Sequence, residues 1–359
     1  MSWMFKLRGG LKPQQRTVLE IIGVAIIVGI WFIFSAGESP IVNRAFLPSP
    51  PRVLSAYSEL IYENNLIQNT FRSIGLNLAG YAKAILLALP IAFLIGLFPL
   101  FRGLFQRVID GIRFIPLTAV TGLFIIWFGI QTGMKVNFLA FGILIYLLPI
   151  IVQRIDEVQD VYLKTVYTIG ANAWQTITTV YIPSVLSRVF DDVRVLTAIS
   201  WTYIIVAEGI GDQGGLGSMI FRVGQRQGRV DKTFALLILI ILIGVFQDRL
   251  FAYLDKVFFP YKYQVKDKYS SAIKEPSVME SIFDYIFKVI GWSFLAVYLL
   301  MVINEFTPII TDTQLLDYLF GQTVWVFHLI FLSIISYKAW CFYTTYRDSK
   351  NQPADAVPG

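Results

Sequence analysis

The sequence predicts an all-α polytopic membrane protein. Hydrophobic residues make up 56% of the 359 residues and charged residues only 15%, whereas a soluble domain has about a quarter charged residues. Mean hydropathy is +0.63, so lipid is the expected solvent for the apolar surface. Cys341 and His328 are the single cysteine and histidine. They cannot form an internal disulfide or a clustered metal site, which argues against a membrane-embedded enzyme, and both are expected to pack inside membrane helices.

Apolar runs predict eight membrane helices, because a crossing needs about 20 mostly apolar residues. No small-residue cleavage site follows the first run, which therefore indicates an anchor rather than a signal peptide. The eight predicted spans are Val18–Ser35, Ile74–Leu97, Phe114–Phe128, Phe138–Val152, Val195–Ala207, Phe234–Phe246, Phe287–Ile303 and Val324–Cys341.

The distribution of basic residues predicts the orientation. With the N-terminus inside, the inner segments hold 20 of the 30 Lys and Arg residues and the outer segments hold 8. An excess of basic residues marks cytoplasmic loops, so both termini are predicted to be cytoplasmic. The predicted units are a cytoplasmic N-terminal segment 1–16, a core 17–260 with a cytoplasmic loop 155–188, a charged linker 261–285, a membrane hairpin 286–343 and a flexible tail 344–359. The hairpin is expected to pack peripherally on the core and the basic linker to be attracted to anionic lipid; the alternative is contact with an accessory protein or with an ATPase.

The loop 155–188 is predicted to form two short helices. Gly170 is placed to end the first helix, since glycine adopts the left-handed conformation without steric cost. One face of the first helix is predicted to be formed by Val158, Val161, Tyr162, Thr165 and Val166. One face of the second helix is predicted to be formed by Trp174, Ile177, Val180 and Tyr181. Pro183 is predicted to turn the chain back to the membrane. Such an element could lie on lipid or dock into a partner.

Four ordered sequence stretches resemble one family. Gly170 and Pro183 stand thirteen residues apart, within "GANAW" and "VYIP". The other stretches are "LPSPPRVLSAY" at 47–57, "IPLTAVTGLFIIWFGI" at 115–130 and "VRVLTAISWTYIIVAEGIGDQGGLG" at 193–217. Over roughly residues 15–260 the chain resembles permeases of the nitrate/sulfonate/taurine/bicarbonate group of ABC importers, whose cytoplasmic loop carries a Glu-Ala-Ala motif before the glycine.

The resemblance implies a six-helix type I permease core, to which this chain adds a two-helix C-terminal extension. It implies a permease homodimer in a bacterial inner membrane, separate ATPase subunits and an extracytoplasmic solute-binding protein. The chain has no phosphate-binding loop motif, so ATP and Mg are expected on the ATPase, with no cofactor in this chain and no nucleic-acid partner. The expected solute is a small anion. The alternatives are a neutral or cationic solute such as a pyrimidine vitamin precursor, or a membrane scaffold or channel outside the ABC class.

The resemblance also implies the residues that contact the ATPase. Lys164, Thr165 and Val166 occupy the positions of Glu-Ala-Ala, and the lysine reverses the charge. Either the ATPase presents an acid there or neighbours such as Asp160 make the contact. The full predicted set is Asp160, Lys164, Thr165, Val166, Gly170, Ala171, Trp174, Ile182 and Pro183.

Four further residues are candidates for the pathway or a gate. Lys83 falls inside a span, where a lysine costs about 2.5–3.5 kcal/mol on insertion scales; it could attract an anion, snorkel to an interface or pair with a carboxylate. Arg194, near Asp191 and Asp192, is expected to anchor a helix end by ion pairing. Trp201 could line the pathway or pack against a partner subunit, and Glu208 could cap a helix and contribute to a gate. The glycine-rich loop that follows could take part in docking or in a gate, or it could be an ordinary outer loop or a re-entrant turn.

Overall fold

The computed structural model describes residues 13–35, 40–211, 214–264, 278–307 and 314–351. The regular structure in these residues is entirely helical. Most of the predicted N-terminal segment, residues 265–277 of the predicted linker, and residues 352–359 of the predicted tail lie outside this range. The α-helices are α1 Pro13–Ser35, α2 Pro50–Tyr62, α3 Leu66–Leu97, α4 Pro99–Ile112, α5 Leu117–Phe128, α6 Thr132–Asp156, α7 Asp160–Thr168, α8 Ala173–Thr176, α9 Ile182–Glu208, α10 Leu216–Met219, α11 Val230–Phe258, α12 Tyr261–Gln264, α13 Val278–Phe306, α14 Leu315–Phe320 and α15 Val324–Asn351.

The membrane class predicted from composition is confirmed. Among the described residues, five helices are long and apolar enough to cross a bilayer, and a sixth crossing results if α4 and α5 count as one. Helix α9 is long enough but carries charged residues near its start, and α13 is apolar only over Val289–Glu305. Length and composition therefore support five or six of the eight predicted spans. The five are Gln14–Ser35, Leu66–Leu97, Thr132–Asp156, Val230–Phe258 and Leu315–Ser336.

The third predicted span, Phe114–Phe128, is not one straight helix. Helix α5 has only 12 residues, and it meets α4 at a bend of 107°. Pro116 stands at the N-cap of α5 in an extended conformation, a position that proline tolerates because no intrahelical partner is lost there, whereas a proline inside a helix would remove a hydrogen bond. Two amphipathic helices that the sequence analysis did not predict, α2 and α4, flank this region and the start of α3.

The long helices pack side by side. Lys83 of α3 contacts Asn137 of α6, and Ser73 and Asn77 of α3 contact Glu208 and Ser200 of α9. Helix α9 is therefore antiparallel to α3. We call the end of the bundle that holds α7 the loop end, and the opposite end, which holds α2 and α10, the far end.

Two apolar clusters hold the bundle together. The first joins α3, α6 and α9 towards the loop end, and Ala84, Leu147 and Val185 are fully buried in it. The second joins α2, α3, α9, α10 and α11 towards the far end, where Leu60 and Leu216 are fully buried. Helix α1 buries none of its apolar window within the chain, as expected of a helix that faces lipid.

The C-terminal extension, α13 to α15, packs on α3. The ring of Phe320 meets that of Phe71 edge-on at 5.5 Å, and Gln68 Nε2 donates to the Tyr318 carbonyl at 2.9 Å. Gly75 allows the closest approach, because a Cβ there would lie 2.3 Å from Thr323 Oγ1. The single histidine, His328, lies in α15 and its Nδ1 shares a hydrogen bond with the Tyr298 hydroxyl, and Cys341 lies further along α15.

Candidate coupling segment and far-end polar cluster

Residues 157–182 at the loop end form two helical pieces joined at Gly170, which we call the coupling segment. Helix α7 packs on the bundle through the half-buried Leu163 and Val166. Gly170 has φ of +81°, and the amide of Ala171 donates to the Val166 carbonyl at 3.0 Å, a helix-ending arrangement that favours glycine. The predicted apolar face was partly wrong, because Val161 and Tyr162 are 66% and 54% exposed.

A capping box begins the second piece. Asn172 Oδ1 accepts from the Gln175 amide at 2.8 Å, and Gln175 Oε1 accepts from the Asn172 amide at 2.9 Å. The pair satisfies two backbone donors that the first turn of a helix otherwise leaves unpaired. The capping box was not predicted, although an Asn followed three residues later by a Gln is a recognisable signal in the sequence.

The predicted turn at Pro183 is wrong. The chain stays helical from Ala173 to Glu208, through a π-helical stretch at Ile177–Tyr181 in which the Ile182 amide donates to the Ile177 carbonyl. Proline lacks the amide that an α-helix would bond to the preceding turn, and the wider π turn accommodates it without a break. The second piece of the coupling segment is thus the start of the helix that runs to the far end. Ile182 is half-buried and Pro183 exposed there.

The outward side of the coupling segment is apolar with one cation. Ile169 is 78% exposed and Trp174 70% exposed. Trp174 therefore leaves the face predicted for it, on which Val180 is buried. Asp160, Lys164 and Thr165 are exposed beside these residues. We call the set Val161, Tyr162, Lys164, Ile169 and Trp174 the loop-end surface.

Ion pairs connect the end of α6 to α9 next to this surface. Arg154 binds both carboxylate oxygens of Asp192, at 2.7 and 2.8 Å, and also Glu157 at 2.7 Å. Arg188 reaches Glu157 at 3.2 Å. The hydrogen bond from Arg154 holds the pKa of the Glu157 carboxyl below its ordinary value. These contacts join the end of α6 to the first turns of α9.

Arg194 and Lys83 pair with residues of different helices. Arg194 forms a two-pronged pair with Asp248 of α11, at 2.6 and 2.8 Å, whereas its predicted neighbours Asp191 and Asp192 pair with Lys262 and Arg154. Lys83 lies exposed near the middle of α3 and donates to the Asn137 side chain. Its partner is an amide and not the carboxylate considered from the sequence.

Trp201 packs within this chain. It is 5% exposed, and its Nε1 donates to Gln247 Oε1 at 2.8 Å. The indole thus joins α9 to α11 in the far-end apolar cluster.

Glu208 lies at the centre of a buried polar cluster at the far end. Its Oε1 accepts from Ser73 Oγ at 2.7 Å and its Oε2 from the Gly217 amide at 2.8 Å. Ser73 Oγ accepts in turn from the Leu216 amide at 2.8 Å, and Asn69 Oδ1 from the Gly215 amide at 2.7 Å. Three successive amides of the glycine-rich loop are therefore bonded to side chains, as a buried backbone requires.

The segment after this loop folds into the bundle. Helix α10 and the π-helical stretch Ile220–Gln225 bury Leu216, Met219 and Val223. The described part of the glycine-rich stretch is therefore followed by a buried helical segment that packs on α9 and α11, and not by an exposed loop. A cavity of about 290 Å³ adjoins Glu208 and is lined by Arg72, Lys135 and the extension residues Gln322 and Thr323. The described residues hold no group of three or more metal-binding side chains.

Sequence comparisons agree with this architecture. Residues 84–259 match the family described as binding-protein-dependent transport system inner membrane component. The chain is 26% identical over 219 residues to the taurine transport system permease protein of Escherichia coli, covering 59% of this chain and 79% of the relative. It is 27% identical over 239 residues to a putative aliphatic sulfonates transport permease protein of Bacillus subtilis, covering 65% and 83%. It is 28% identical over 215 residues to the riboflavin transport system permease protein of Chloroflexus aurantiacus, covering 58% and 79%.

The matched region contains both the coupling segment and most of the far-end cluster. Through residues 84–259 the chain belongs to the family of binding-protein-dependent transport system inner membrane components. It is a membrane permease subunit of the ABC transporter class and not an enzyme. Glu208 was predicted as a site residue, but Asn69 and Ser73 were not. These two residues lie four positions apart on α3, and their role becomes apparent only because α9 and the glycine-rich loop pack against them.

Proposed function

We propose that this chain is the permease subunit of an ATP-driven, binding-protein-dependent importer for a small anion of the nitrate, sulfonate or bicarbonate type. The coupling segment is the observation that carries this proposal. It presents Trp174 and Ile169, both more than two-thirds exposed, on a short helical knob joined directly to α9. Exposed apolar clusters of this kind mark docking sites for a partner, and the family supplies that partner as a separate ATPase that holds ATP and Mg.

Lys164 defines the chemistry of the ATPase surface. The side chain is exposed between Val161 and Thr168 on α7, where relatives with the Glu-Ala-Ala motif carry an acid. A cognate ATPase is therefore expected to present a carboxylate opposite Lys164, because charges across an interface select partners. Val166 packs on the bundle and Ala171 lies at the helix end, so both shape the knob, while the exposed Asp160 and Thr165 supply secondary contacts.

An arrangement of eight crossings with both termini in the cytoplasm fits the charges of α9. The charged residues of this helix are concentrated near its loop end, where Arg188, Asp191, Asp192 and Arg194 all have ion-pair partners. The stretch beyond them is apolar apart from the satisfied Glu208. The basic loop end would face the cytoplasm in accordance with the positive-inside rule, in a bacterial inner membrane.

A second copy of the chain is the proposed partner within the membrane. Val195 and Ile199 of α9 are 70% and 38% exposed, with Thr202 exposed one turn later, and form one stripe. Lys83 is exposed near mid-bundle, where contact with lipid would be costly. A homodimer that places Lys83 on a shared aqueous pathway removes this cost and gives an anion an attractive point.

The alternative is the same importer for a neutral or cationic solute. The riboflavin permease among the relatives favours this class, and the taurine and sulfonate permeases favour the anion. Specificity is then expected to lie mainly in the binding protein. A scaffold or channel outside the ABC class would not require the coupling segment, because it would not bind an ATPase.

Reconstitution tests the proposal. The chain is purified in mild detergent with the ATPase that co-purifies, placed in liposomes with the binding protein, and assayed for ATP-dependent uptake of nitrate, taurine, bicarbonate and riboflavin. Uptake of an anion supports the proposal; uptake of riboflavin alone favours the alternative. Failure of any ATPase to bind would overturn the importer assignment. Lys164→Glu should weaken ATPase binding about tenfold, with Lys12→Glu as a charge-matched control.

A further inference from the structure

Lys262 lies just after the core, at the point where the chain leaves α11 for the extension. Its ammonium donates to the Ser187 carbonyl, to Asp191 Oδ2 at 3.1 Å and to Asp255 Oδ1 at 2.8 Å. A lysine ammonium has three donors, and each of them has an acceptor here. Two acceptors belong to α9 and one to α11, so Lys262 bridges the two helices.

Aromatic packing reinforces this bridge. The ammonium lies 5.0 Å from the centre of the Phe259 ring, within the range of a cation–π contact. Phe259 packs on Phe190 of α9 at 5.8 Å, and the Tyr261 hydroxyl donates to the Pro183 carbonyl at 3.4 Å. The first residues after α11 therefore follow α9 from Pro183 to Asp191.

The bridged part of α9 continues directly from the coupling segment. Because the helix is unbroken from Ala173 to Glu208, a displacement of Trp174 is transmitted to residues 183–191. One side of these turns is held by Arg154 and Glu157 of the α6 end. The other side is held by Lys262, which lies outside the segment 84–259 that matches the family.

We propose that Lys262 is a positioning residue for transport coupling, through which the start of the C-terminal extension fixes the loop-end half of α9 to α11. The coupling segment, α9 and α11 then move as one body when the ATPase moves. This inference rests on the proposed function. Asp255 is 3% exposed, and removing a cation from beside a buried carboxylate is strongly unfavourable, so loss of the Lys262 ammonium weakens the contact between α9 and α11.

Hydrogen exchange of the purified full-length chain tests the bridge without any partner. Lys262→Met keeps most of the aliphatic stem and removes the charge. We expect about tenfold faster amide exchange over residues 173–192 in this variant, since local opening sets the exchange rate. Arg107→Met, which removes one positive charge from an exposed side chain of α4, is the charge-matched control and should exchange like the wild type over residues 173–192. Lys262→Arg should recover part of the protection.

Coupling is then measured in liposomes with the co-purifying ATPase and the binding protein. Lys262→Met should bind the ATPase normally, yet move fewer solute molecules per ATP hydrolysed, by about threefold or more. Unchanged exchange would overturn the bridge, and increased exchange with an unchanged transport ratio would overturn its role in coupling. If wild-type protein shows no ATP-dependent uptake, the proposed function fails, while the exchange comparison still decides whether Lys262 positions α9.

Discussion

The Oε2 atom of Glu208 accepts a hydrogen bond from the backbone amide of Gly217 at 2.8 Å, and this bond closes the glycine-rich loop onto the end of α9. Gly215 lies inside the closed loop with φ of +101°, and a Cβ there would lie 2.3 Å from Glu208 Cδ. The loop therefore tolerates neither a side chain at this position nor the backbone preference of an ordinary residue.

Gly215→Ala is predicted to destabilise the protein by at least about 2 kcal/mol, because strain at a positive φ adds to the clash with Glu208. Thermal unfolding in detergent measures the effect. Gly133→Ala, where no atom lies within 4 Å of the added Cβ, is the control and should unfold like the wild type. Equal unfolding temperatures for both variants would contradict the assigned loop geometry.

Gly170→Val is predicted to uncouple transport while the chain still inserts into the membrane. Gly170 has φ of +81° and no atom within 4 Å of an added Cβ, so the cost is conformational, of the order of 1–2 kcal/mol for an ordinary residue in the left-handed region. A β-branched valine suits that region least, whereas asparagine adopts it readily. Gly170→Asn should therefore retain transport, and ATP-dependent uptake by the two variants should differ. Normal uptake by the valine variant would argue against a rigid turn at this position.

Trp174→Ala is predicted to weaken ATPase binding by roughly 30-fold, the loss expected when an aromatic anchor worth about 2 kcal/mol is removed from an interface. The fold should be unaffected, since Trp174 is 70% exposed. Tyr62→Ala is the matched control, because Tyr62 is 85% exposed at the far end. Co-purification and surface binding of the ATPase provide the measurement, and equal affinities for both variants would remove Trp174 from the interface.

Acidification is predicted to loosen the loop end through Glu157. The hydrogen bond from Arg154 lowers the pKa of this carboxyl from its ordinary 4.5. Its stabilising contribution is therefore complete above that value and is lost as the pH falls through the lowered pKa. The partly exposed pair contributes less than about 1 kcal/mol. Unfolding temperatures between pH 7 and 3.5 should fall more for the wild type than for Glu157→Gln; parallel curves would exclude a role for this carboxylate.

Local chemistry explains what could be predicted from the sequence. The left-handed turn at Gly170 follows from the steric freedom of glycine, and the membrane class follows from composition. The turn at Pro183 was wrong because the π-helical stretch before it, supported by packing of Val180, accommodates a proline that would interrupt a regular α-helix. The helix propensities of the individual residues do not indicate that a π-helical stretch will accommodate the proline.

Long-range contacts explain what could not be predicted. In the sequence, Lys262 is one of several basic residues of a predicted solvated linker. Its partners Asp191 and Asp255 become apparent only because α9 and α11 pack beside it. In the sequence, Asn69 and Ser73 are only polar residues near the start of a span. Their role becomes apparent in the structure, where the amides of Gly215 and Leu216 donate hydrogen bonds to them. In both cases the sequence shows the donor or acceptor but not the partner, which tertiary packing supplies.

The close fit of Thr323 against Gly75 has a consequence for biosynthesis. Gln68 and Tyr318, which meet beside that fit, are 250 residues apart in the chain. The ribosome therefore completes the whole core long before the extension emerges, and during that interval the surface of α3 around Gly75 has no cover from its own chain. Insertion of α13 to α15 fills that groove, so the packing of α3 is completed only after the core has been synthesised.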